Sequence, residues 1–307
     1  MFTSESTKVT TSFRAMGSAV EITVWGEAEL VDSLIALAPL RIELLEQSWS
    51  RFREDSELSR NNAWAGNGPR EVSADFARLV REMRNGAAVT QGLFNPTMAQ
   101  IIESLGYNQD FDSLSSTDLS PLTVPTVPSV NGIHLDGNQL TLDRGVALDP
   151  GALGKGLAGD IVCEEFMSAG AQGVLANIGG DVTVKGSAAA EPWCIGIIDE
   201  QNRANLVTTI TRNTSELAVA TSTTLRRTWG KGKHHILDPR TGNILDTDLL
   251  QASVIAETGV KAEVFATAAM ALGSKDAPLF LDAHGVEYLL VSHDHIDQRI
   301  NNHLESN

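Results

Sequence analysis

A glycine-rich segment with one lysine is the first candidate for chemistry. Residues 148–160 (LDPGALGKGLAGD) combine the cation of Lys155 with glycines, which let a ligand approach the backbone closely. A helix that begins here would offer its free N–H groups and its positive end to a phosphate. The spacing does not fit a P-loop, since Asp149 stands where that motif needs Gly and Gly156 where it needs Ser or Thr.

The same glycines also match a dinucleotide-binding pattern. Gly154, Gly156 and Gly159 satisfy G-x-G-x-x-G, and Asp181 follows at about the 20-residue distance that the pattern requires. The context differs, because Pro150 would end the preceding strand before the glycines are reached. A nicotinamide-dependent oxidoreductase therefore stays open as one alternative, and a glycine-rich helix start that serves only tight packing as another.

Three later segments carry groups that suit an anionic ligand and a metal ion. Residues 177–181 (NIGGD) predict a turn between two strands. Residues 221–235 supply hydroxyls, two adjacent imidazoles and four cations, an uneven concentration for a chain of net charge −16. Glu263 and Thr267 would share one helix face, and oxygen ligands of this kind suit Mg²⁺. A hairpin turn, a solvated loop and an ordinary surface pair are the simpler alternatives.

The elements that must position these groups follow from hydrophobic periodicity. We predict strands at 13–25, 173–177, 181–185, 193–198, 206–211, 251–257 and 286–292, a hairpin of 133–135 with 140–142, and helices at 28–47, 72–90, 153–169 and 261–272. Residues 111–132 are rich in Ser, Thr and Pro and predict an excursion from the fold. Because strands come in runs broken by helices, the pattern favours an α+β fold with a mostly antiparallel sheet over a doubly wound one.

The composition excludes several classes of protein. The 307 residues include 23 Lys and Arg against 39 Asp and Glu, so nucleic acid and anionic membrane surfaces would be repelled. Two cysteines, Cys163 and Cys194, are too few for a disulfide framework or a Cys-rich zinc site. The chain has no apolar run of 18 residues for a membrane span, and its start carries no secretory signal or lipidated cysteine. We therefore expect a cytoplasmic protein.

The motifs, taken in order, resemble those of the ApbE family of FAD:protein FMN transferases. The resemblance runs from about residue 13 to 273 and rests on AMGS (15–18), WSRFREDSELSRNN (49–62), QGLFNPTM (91–98), LDPGALGKG (148–156), NIGGD (177–181), WCIGIID (193–199), VATS (219–222), HHILDPRTG (234–242) and AEVFATAAMALG (262–273).

This resemblance implies a fold and a reaction. The fold would be a single compact α+β domain over residues 1–307, with helices flanking a mostly antiparallel sheet. In the reaction, a Thr or Ser hydroxyl of a partner flavoprotein takes FMN from FAD, with Mg²⁺ at the pyrophosphate, and AMP leaves. Some relatives hydrolyse FAD to FMN and AMP instead. An FAD pyrophosphatase is therefore the rival enzyme, and a catalytically weak flavin-binding protein is the rival from another class.

The same resemblance assigns residues to roles. His235, Lys155 and Glu263 would be catalytic, with His235 assisting proton transfer from the attacking hydroxyl. The metal would be held by the Ala152 carbonyl, Glu263 and Thr267, with Ala266 adjoining and Asn62 nearby. The FAD pocket would be formed by Met16, Phe52, Leu93, Phe94, Asn95, Asp149, Lys155, Gly179, Gly180, Thr221, Ser222, His235, Ile236 and Leu237.

Three residues depart from the family pattern. Glu263 stands where the metal-site helix usually carries Asp, and its extra methylene bears on the near-ideal octahedral geometry that Mg²⁺ demands. Asn95 stands where Asp is common, which removes one negative charge beside the ligand. Thr223 replaces a common Gly after Ala-Thr-Ser. These departures bear on catalysis and on the choice of acceptor more than on flavin binding.

Overall fold

The computed structural model describes residues 6–107, 126–189, 191–229 and 233–301. Its helices are α1 (Ala28–Trp49), α2 (Glu57–Ala63), α3 (Ala74–Val89), α4 (Ala99–Ser104), α5 (Gly154–Ser168) and α6 (Gly259–Ala283). Its strands are β1 (Thr7–Ala15), β2 (Ser18–Gly26), β3 (Arg70–Glu71), β4 (Ile133–Asp136), β5 (Gln139–Leu142), β6 (Gly173–Ile178), β7 (Asp181–Gly186), β8 (Trp193–Ile198), β9 (Leu206–Arg212), β10 (Glu216–Thr223), β11 (Thr228–Trp229), β12 (Lys233–His234), β13 (Leu249–Ala256), β14 (Glu287–Ser292) and β15 (Ile296–Arg299).

An eight-stranded sheet forms the centre of the fold. Its strands lie in the order β1-β2-β6-β7-β10-β13-β14-β15, and each neighbouring pair is antiparallel. This arrangement confirms the predicted α+β class. It also removes the dinucleotide-binding alternative for the glycine-rich segment, because that pattern requires a parallel sheet with the glycines at a strand-to-helix turn.

The fold has three layers: helices, the central sheet and the hairpin of β8 and β9. Two main cores lie between these layers. On one face, Val20, Ile22 and Val24 of β2 pack with α1 and α5. On the opposite face, the hairpin of β8 and β9 covers β7 and β10, and Trp193 meets Trp25 edge-on with ring centroids 5.1 Å apart. Because successive strand residues point to opposite faces, β2 supplies both cores.

The predicted strand at 13–25 is wrong in its extent. The chain reverses at Met16 and Gly17, both with positive φ (51° and 64°), so β1 and β2 form a tight hairpin. Positive φ at both central residues is the geometry that joins twisted antiparallel strands through a two-residue loop. The sequence Ala15-Met16-Gly17-Ser18 is therefore a turn.

Two other predictions are modified. The helix expected at 261–272 is the first part of α6, which continues past a non-helical residue, Gly273 (φ 77°). Of the segment 111–132, residues 111–125 lie outside the described residues, and 126–132 contain one short 3₁₀ turn at Val130–Gly132. Over the ranges that the structure describes, no helix has the length and apolar character needed to cross a membrane.

Candidate active site

Three charged side chains meet where α5, β7 and α6 converge. Lys155 lies in the first turn of α5, Asp181 is the first residue of β7, and Glu263 lies in the second turn of α6. The Lys155 ammonium pairs with the Asp181 carboxylate, and its Nζ is 3.4 Å from Glu263 Oε1. The Gly156 N–H donates to Glu263 Oε2 at 2.7 Å. The free amide of a helix N-terminus thus anchors the carboxylate of a second helix.

Burial and mutual charge set the protonation of this cluster. The side chains of Asp181 and Glu263 are 5% and 6% exposed, and that of Lys155 is 19% exposed. Burial raises the pKa of Glu263 to about 7, against the opposing charge of Lys155. Burial also disfavours the Lys155 ammonium, but the charges of Asp181 and Glu263 outweigh it and raise the pKa of Lys155. Lys155 is therefore a permanent cation at neutral pH.

Strand β10 continues the polar cluster into the sheet. The Thr221 N–H donates to Asp181 Oδ1 at 3.0 Å, and the Thr221 and Ser253 hydroxyl oxygens are 2.8 Å apart. The amide of Gln251 donates to Ser253 Oγ at 3.1 Å. Ser222 lies beside α6, with its Oγ 3.4 Å from Thr267 Oγ1. The predicted residues Thr221, Ser222, Glu263 and Thr267 are thus brought together, although they come from distant parts of the sequence.

Two tight turns border the cluster. Gly179 and Gly180 both have positive φ (68° and 101°) and join β6 to β7, so the predicted turn is confirmed. A Cβ at Gly179 would lie 2.7 Å from the hydroxyl of Ser18, so the two hairpin turns press against each other. On the other turn, the Met16 N–H donates to a carboxylate oxygen of Glu46 at 2.8 Å. The Gly179 backbone lies next to Lys155, since a Cβ at Gly179 would be 3.6 Å from Lys155 Cδ.

The imidazole of His235 lies among cations. Its Nδ1 is buried and has no hydrogen-bond partner among the described residues. Burial, reinforced by the charges of Arg227, Lys155 and Arg51, lowers the pKa of His235 to about 3. The ring is therefore neutral at pH 7, and a neutral imidazole can accept a proton. The next residue, Ile236, is buried, and Leu237 forms an isolated bridge with Ile244.

A cation stacked on aromatic rings lies on another side of the site. The guanidinium carbon of Arg51 is 4.2 Å from the ring centroid of Phe52 and 4.4 Å from that of Tyr107. Arg51 Nε lies 3.8 Å from Asp149 Oδ2, and Trp229 stacks beyond Tyr107 at 5.4 Å between centroids. Phe52 is 37% exposed. A half-open aromatic face with a cation behind it suits a flat, electron-rich ring system.

Several predicted residues occupy other surroundings. Phe94 is 1% exposed and belongs to the core, where its ring packs against Gly86 in α3. Asn95 Oδ1 accepts hydrogen bonds from the N–H and the hydroxyl of Thr97. Ala266 is fully buried against the sheet. Leu93 is half-buried and directly precedes Phe94, and Ala152 lies in the turn before α5.

Three residues of this site were not predicted from the sequence. Asp181 was assigned to a turn and to the dinucleotide-binding alternative, yet it pairs with Lys155 and accepts from β10. Arg51 adjoins Phe52 in the motif WSRFR, but its packing between two rings depends on Tyr107, far along the chain. Arg227 was counted as one of several cations, and its positive φ of 46° is the local sign of a special position.

The donors in this cluster suit a hard cation. Glu263 and Asp181 carry carboxyl groups and Thr267 and Ser222 carry hydroxyls, and when both carboxyl groups are ionised their charge exceeds that of Lys155 by one. No group of three or more His, Cys, Asp or Glu poised for a metal occurs in the described parts of the chain. An oxygen donor set with a phosphate completing the shell is the usual arrangement for Mg²⁺, so the residues fit that ion.

Cations, hydroxyls and aromatic rings thus lie around one antiparallel sheet. The sequence model of the ApbE family matches residues 16–290, and the chain belongs to the ApbE family.

Named relatives and a solved structure agree with that assignment. The chain is 26% identical to the FAD:protein FMN transferase of Rhodobacter capsulatus over 94% of its own length and 56% of the relative's. It is 24% identical to that of Vibrio cholerae over 81% of this chain and 76% of the relative. The crystal structure of the ApbE protein from Thermotoga maritima superposes with a TM-score of 0.84 at 23% identity, covering 95% of this chain and 97% of that one. The last comparison confirms the fold.

Proposed function

We propose that this chain is a Mg²⁺-dependent FAD:protein FMN transferase that attaches FMN to a Thr or Ser of a partner flavoprotein and releases AMP. The observation that carries the proposal is the buried group of Lys155, Asp181 and Glu263 at the N-terminus of α5. Phosphoryl transfer needs charge neutralisation and positioning more than covalent participation by the protein. A cation held at a helix N-terminus provides both.

The chemistry balances without a further reactant. The acceptor hydroxyl oxygen forms a bond to the FMN phosphorus, and the bond from that phosphorus to the bridging oxygen of the pyrophosphate breaks. AMP leaves with that oxygen. The hydroxyl proton passes to a base, for which we propose neutral His235, because its buried Nδ1 has no hydrogen-bond partner among the described residues. Burial and the surrounding cations hold the pKa of this ring low, and the negative charge of bound phosphates would raise it toward the value that a general base needs. The product is a phosphoester between FMN and the partner protein.

The remaining side chains bind and orient FAD. We propose that Lys155 and Arg227 face the phosphates and that the surface of Phe52 and Arg51 supports a ring of the cofactor. Hydroxyls of Thr221 and Ser222 would offer hydrogen bonds beside them. Stacking and charge together would hold FAD at both ends.

In this proposal, oxygen donors of this chain form the metal site. Glu263, Thr267 and the Ala152 carbonyl would hold Mg²⁺, with the Ala266 position adjoining. When bound, Mg²⁺ supplies Lewis-acid neutralisation of the pyrophosphate charge. Because the Gly156 N–H holds one oxygen of Glu263, the carboxylate is fixed even though Glu is longer than the Asp usual at this position.

A direct test separates the transferase from its two rivals. Purified protein is incubated with FAD, with or without Mg²⁺, and with an unmodified flavoprotein domain whose mature form carries phosphoester-linked FMN. AMP is measured by chromatography and the acceptor by mass spectrometry. A transferase gives AMP and FMN-labelled acceptor in equal amounts. A pyrophosphatase gives AMP and free FMN and leaves the acceptor unlabelled. A flavin-binding protein without catalysis leaves FAD intact.

A pair of variants tests the metal assignment. Glu263→Ala should abolish AMP release, because the carboxylate at the centre of the cluster is lost. Glu257→Ala is the matched control, since this exposed glutamate precedes the same helix and pairs only with Lys261 in the described structure. Equal activity in both variants would refute the metal assignment. The cytoplasmic location expected from the sequence remains a prediction.

A further inference from the structure

A buried carboxylate on α5 ties that helix to α6. Asp160 is 2% exposed and lies one turn beyond Gly156 on the same helix face. Its Oδ1 accepts from the Gly259 N–H at 2.6 Å and its Oδ2 from the Val260 N–H at 3.0 Å. The hydroxyl of Thr183 on β7 adds a third contact at 3.3 Å. Two free amides at the start of α6 are thus capped from a neighbouring helix.

The start of α6 also has a cap of its own, from the residue that precedes the helix. Thr258 accepts from the Lys261 N–H at 3.2 Å, which is the ordinary arrangement for a Thr N-cap. The cap from Asp160 is different in kind, because it joins two helices. Its removal would loosen the contact between α5 and α6, whereas removal of the Thr258 cap would weaken α6 alone.

The two helices touch backbone to backbone at this point. A Cβ at Gly156 would lie 2.4 Å from the carbonyl group of Gly259, and a Cβ at Gly259 would lie 2.5 Å from the Gly156 oxygen. The Gly156 N–H in turn donates to Glu263 on the next turn of α6. Asp160 therefore secures one side of a contact whose other side holds Glu263 close to Lys155.

We propose that Asp160 is a positioning residue that fixes Glu263 of α6 against Lys155 of α5. The inference rests on the proposed function, in which Glu263 holds the metal and Lys155 faces the phosphates. In this proposal Asp160 touches neither the metal nor the phosphates, because its two carboxylate oxygens are held by Gly259, Val260 and Thr183. Its effect passes through the first turn of α6, one helical turn before Glu263.

The test compares Asp160→Asn with Thr258→Ala. Binding of Mn²⁺, a spectroscopic substitute for Mg²⁺, is followed by the loss of the free-ion electron paramagnetic resonance signal, and stability by the midpoint of urea unfolding. We expect both variants to lower the midpoint. Asp160→Asn should weaken Mn²⁺ binding at least tenfold and lower the rate of AMP release, and Thr258→Ala should leave Mn²⁺ binding within twofold of wild type.

A milder variant keeps the test available if Asp160→Asn does not fold. Thr183→Val removes only the longest of the three contacts and should weaken Mn²⁺ binding in the same direction by a smaller factor. Unchanged Mn²⁺ binding in whichever of these two variants folds, or equal weakening by Thr258→Ala, would overturn the role of Asp160. No Mn²⁺ binding by the wild-type protein would instead overturn the metal assignment itself, and this inference with it.

Discussion

Replacing Gly156 by Ala is a strict test of the contact between α5 and α6. The added Cβ would lie 2.4 Å from the C and O atoms of Gly259 and 3.0 Å from Glu263 Oε2. Backbone atoms cannot rotate away, so α6 must shift. Overpacking of this kind costs about 3 kcal/mol at the upper end of its range, and the better helix propensity of Ala returns up to ~1 kcal/mol. The net loss is about 2 kcal/mol.

The control for this prediction is Gly154→Ala in the same first turn. Its Cβ would meet only the Pro150 side chain at 3.4 Å, an ordinary contact. Urea unfolding should therefore show Gly154→Ala at wild-type stability or up to ~1 kcal/mol above it, from helix propensity alone, and Gly156→Ala about 2 kcal/mol below wild type, about a 30-fold change in the folded-to-unfolded ratio. AMP release should fall only in Gly156→Ala. Equal stability of the two variants would refute the close backbone contact as described.

Three further predictions concern single side chains. Burial raises the pKa of Asp160 to about 6, so the native state retains a proton that the unfolded chain loses. The Asp160 carboxyl should therefore lower stability by about 3 kcal/mol between pH 4 and 6, and urea titration of Asp160→Asn should lack this part of the slope while keeping the part due to Glu263. His235→Gln should slow AMP release ~100-fold or more while FAD affinity, measured by fluorescence, is kept; a rate within threefold of wild type would remove His235 as the base. Arg51→Met should weaken FAD binding about tenfold and also lower the urea midpoint, because the Tyr107 carbonyl and the Asp149 carboxylate lose a buried partner; unchanged affinity in the folded variant would rule out the stacking role.

Most helices and buried strands were predictable because their apolar residues are periodic. Strand β1 was missed apart from its last residues. It lies at the edge of the sheet and alternates half-buried with exposed residues, so its sequence is nearly as polar as a loop. Strand β10 was missed because ELAVATST is rich in Ala and Thr and lacks the large apolar side chains that indicate a strand.

The site was predictable in part for a different reason. Lys155, Glu263 and Thr267 stand in motifs that a sequence comparison can identify. Their mutual arrangement depends on tertiary packing, since Lys155 pairs with Asp181 of β7 and with Glu263 of α6. The contacts of Arg51 and Asp160 could not be predicted from the neighbouring sequence. Arg51 packs against Tyr107 and Asp160 accepts from Gly259, and both partners lie far along the chain. The sequence therefore indicates which side chains belong to the site, whereas the packing of the sheet and helices determines which of them lie in contact.

The pairing of β2 with β6 has a consequence for how the chain folds. Val20 of β2 pairs with Ile178 of β6, so the central sheet cannot form until the chain segments at both ends of this long interval are available. Such distant pairings slow folding, because loop-closure entropy must be overcome before the contacts form. A chain emerging from the ribosome reaches Lys155 and Asp181 well before Glu263. The two-carboxylate cluster is therefore complete only after Glu263, in the second turn of α6, has been synthesised, and no shorter product of translation carries it.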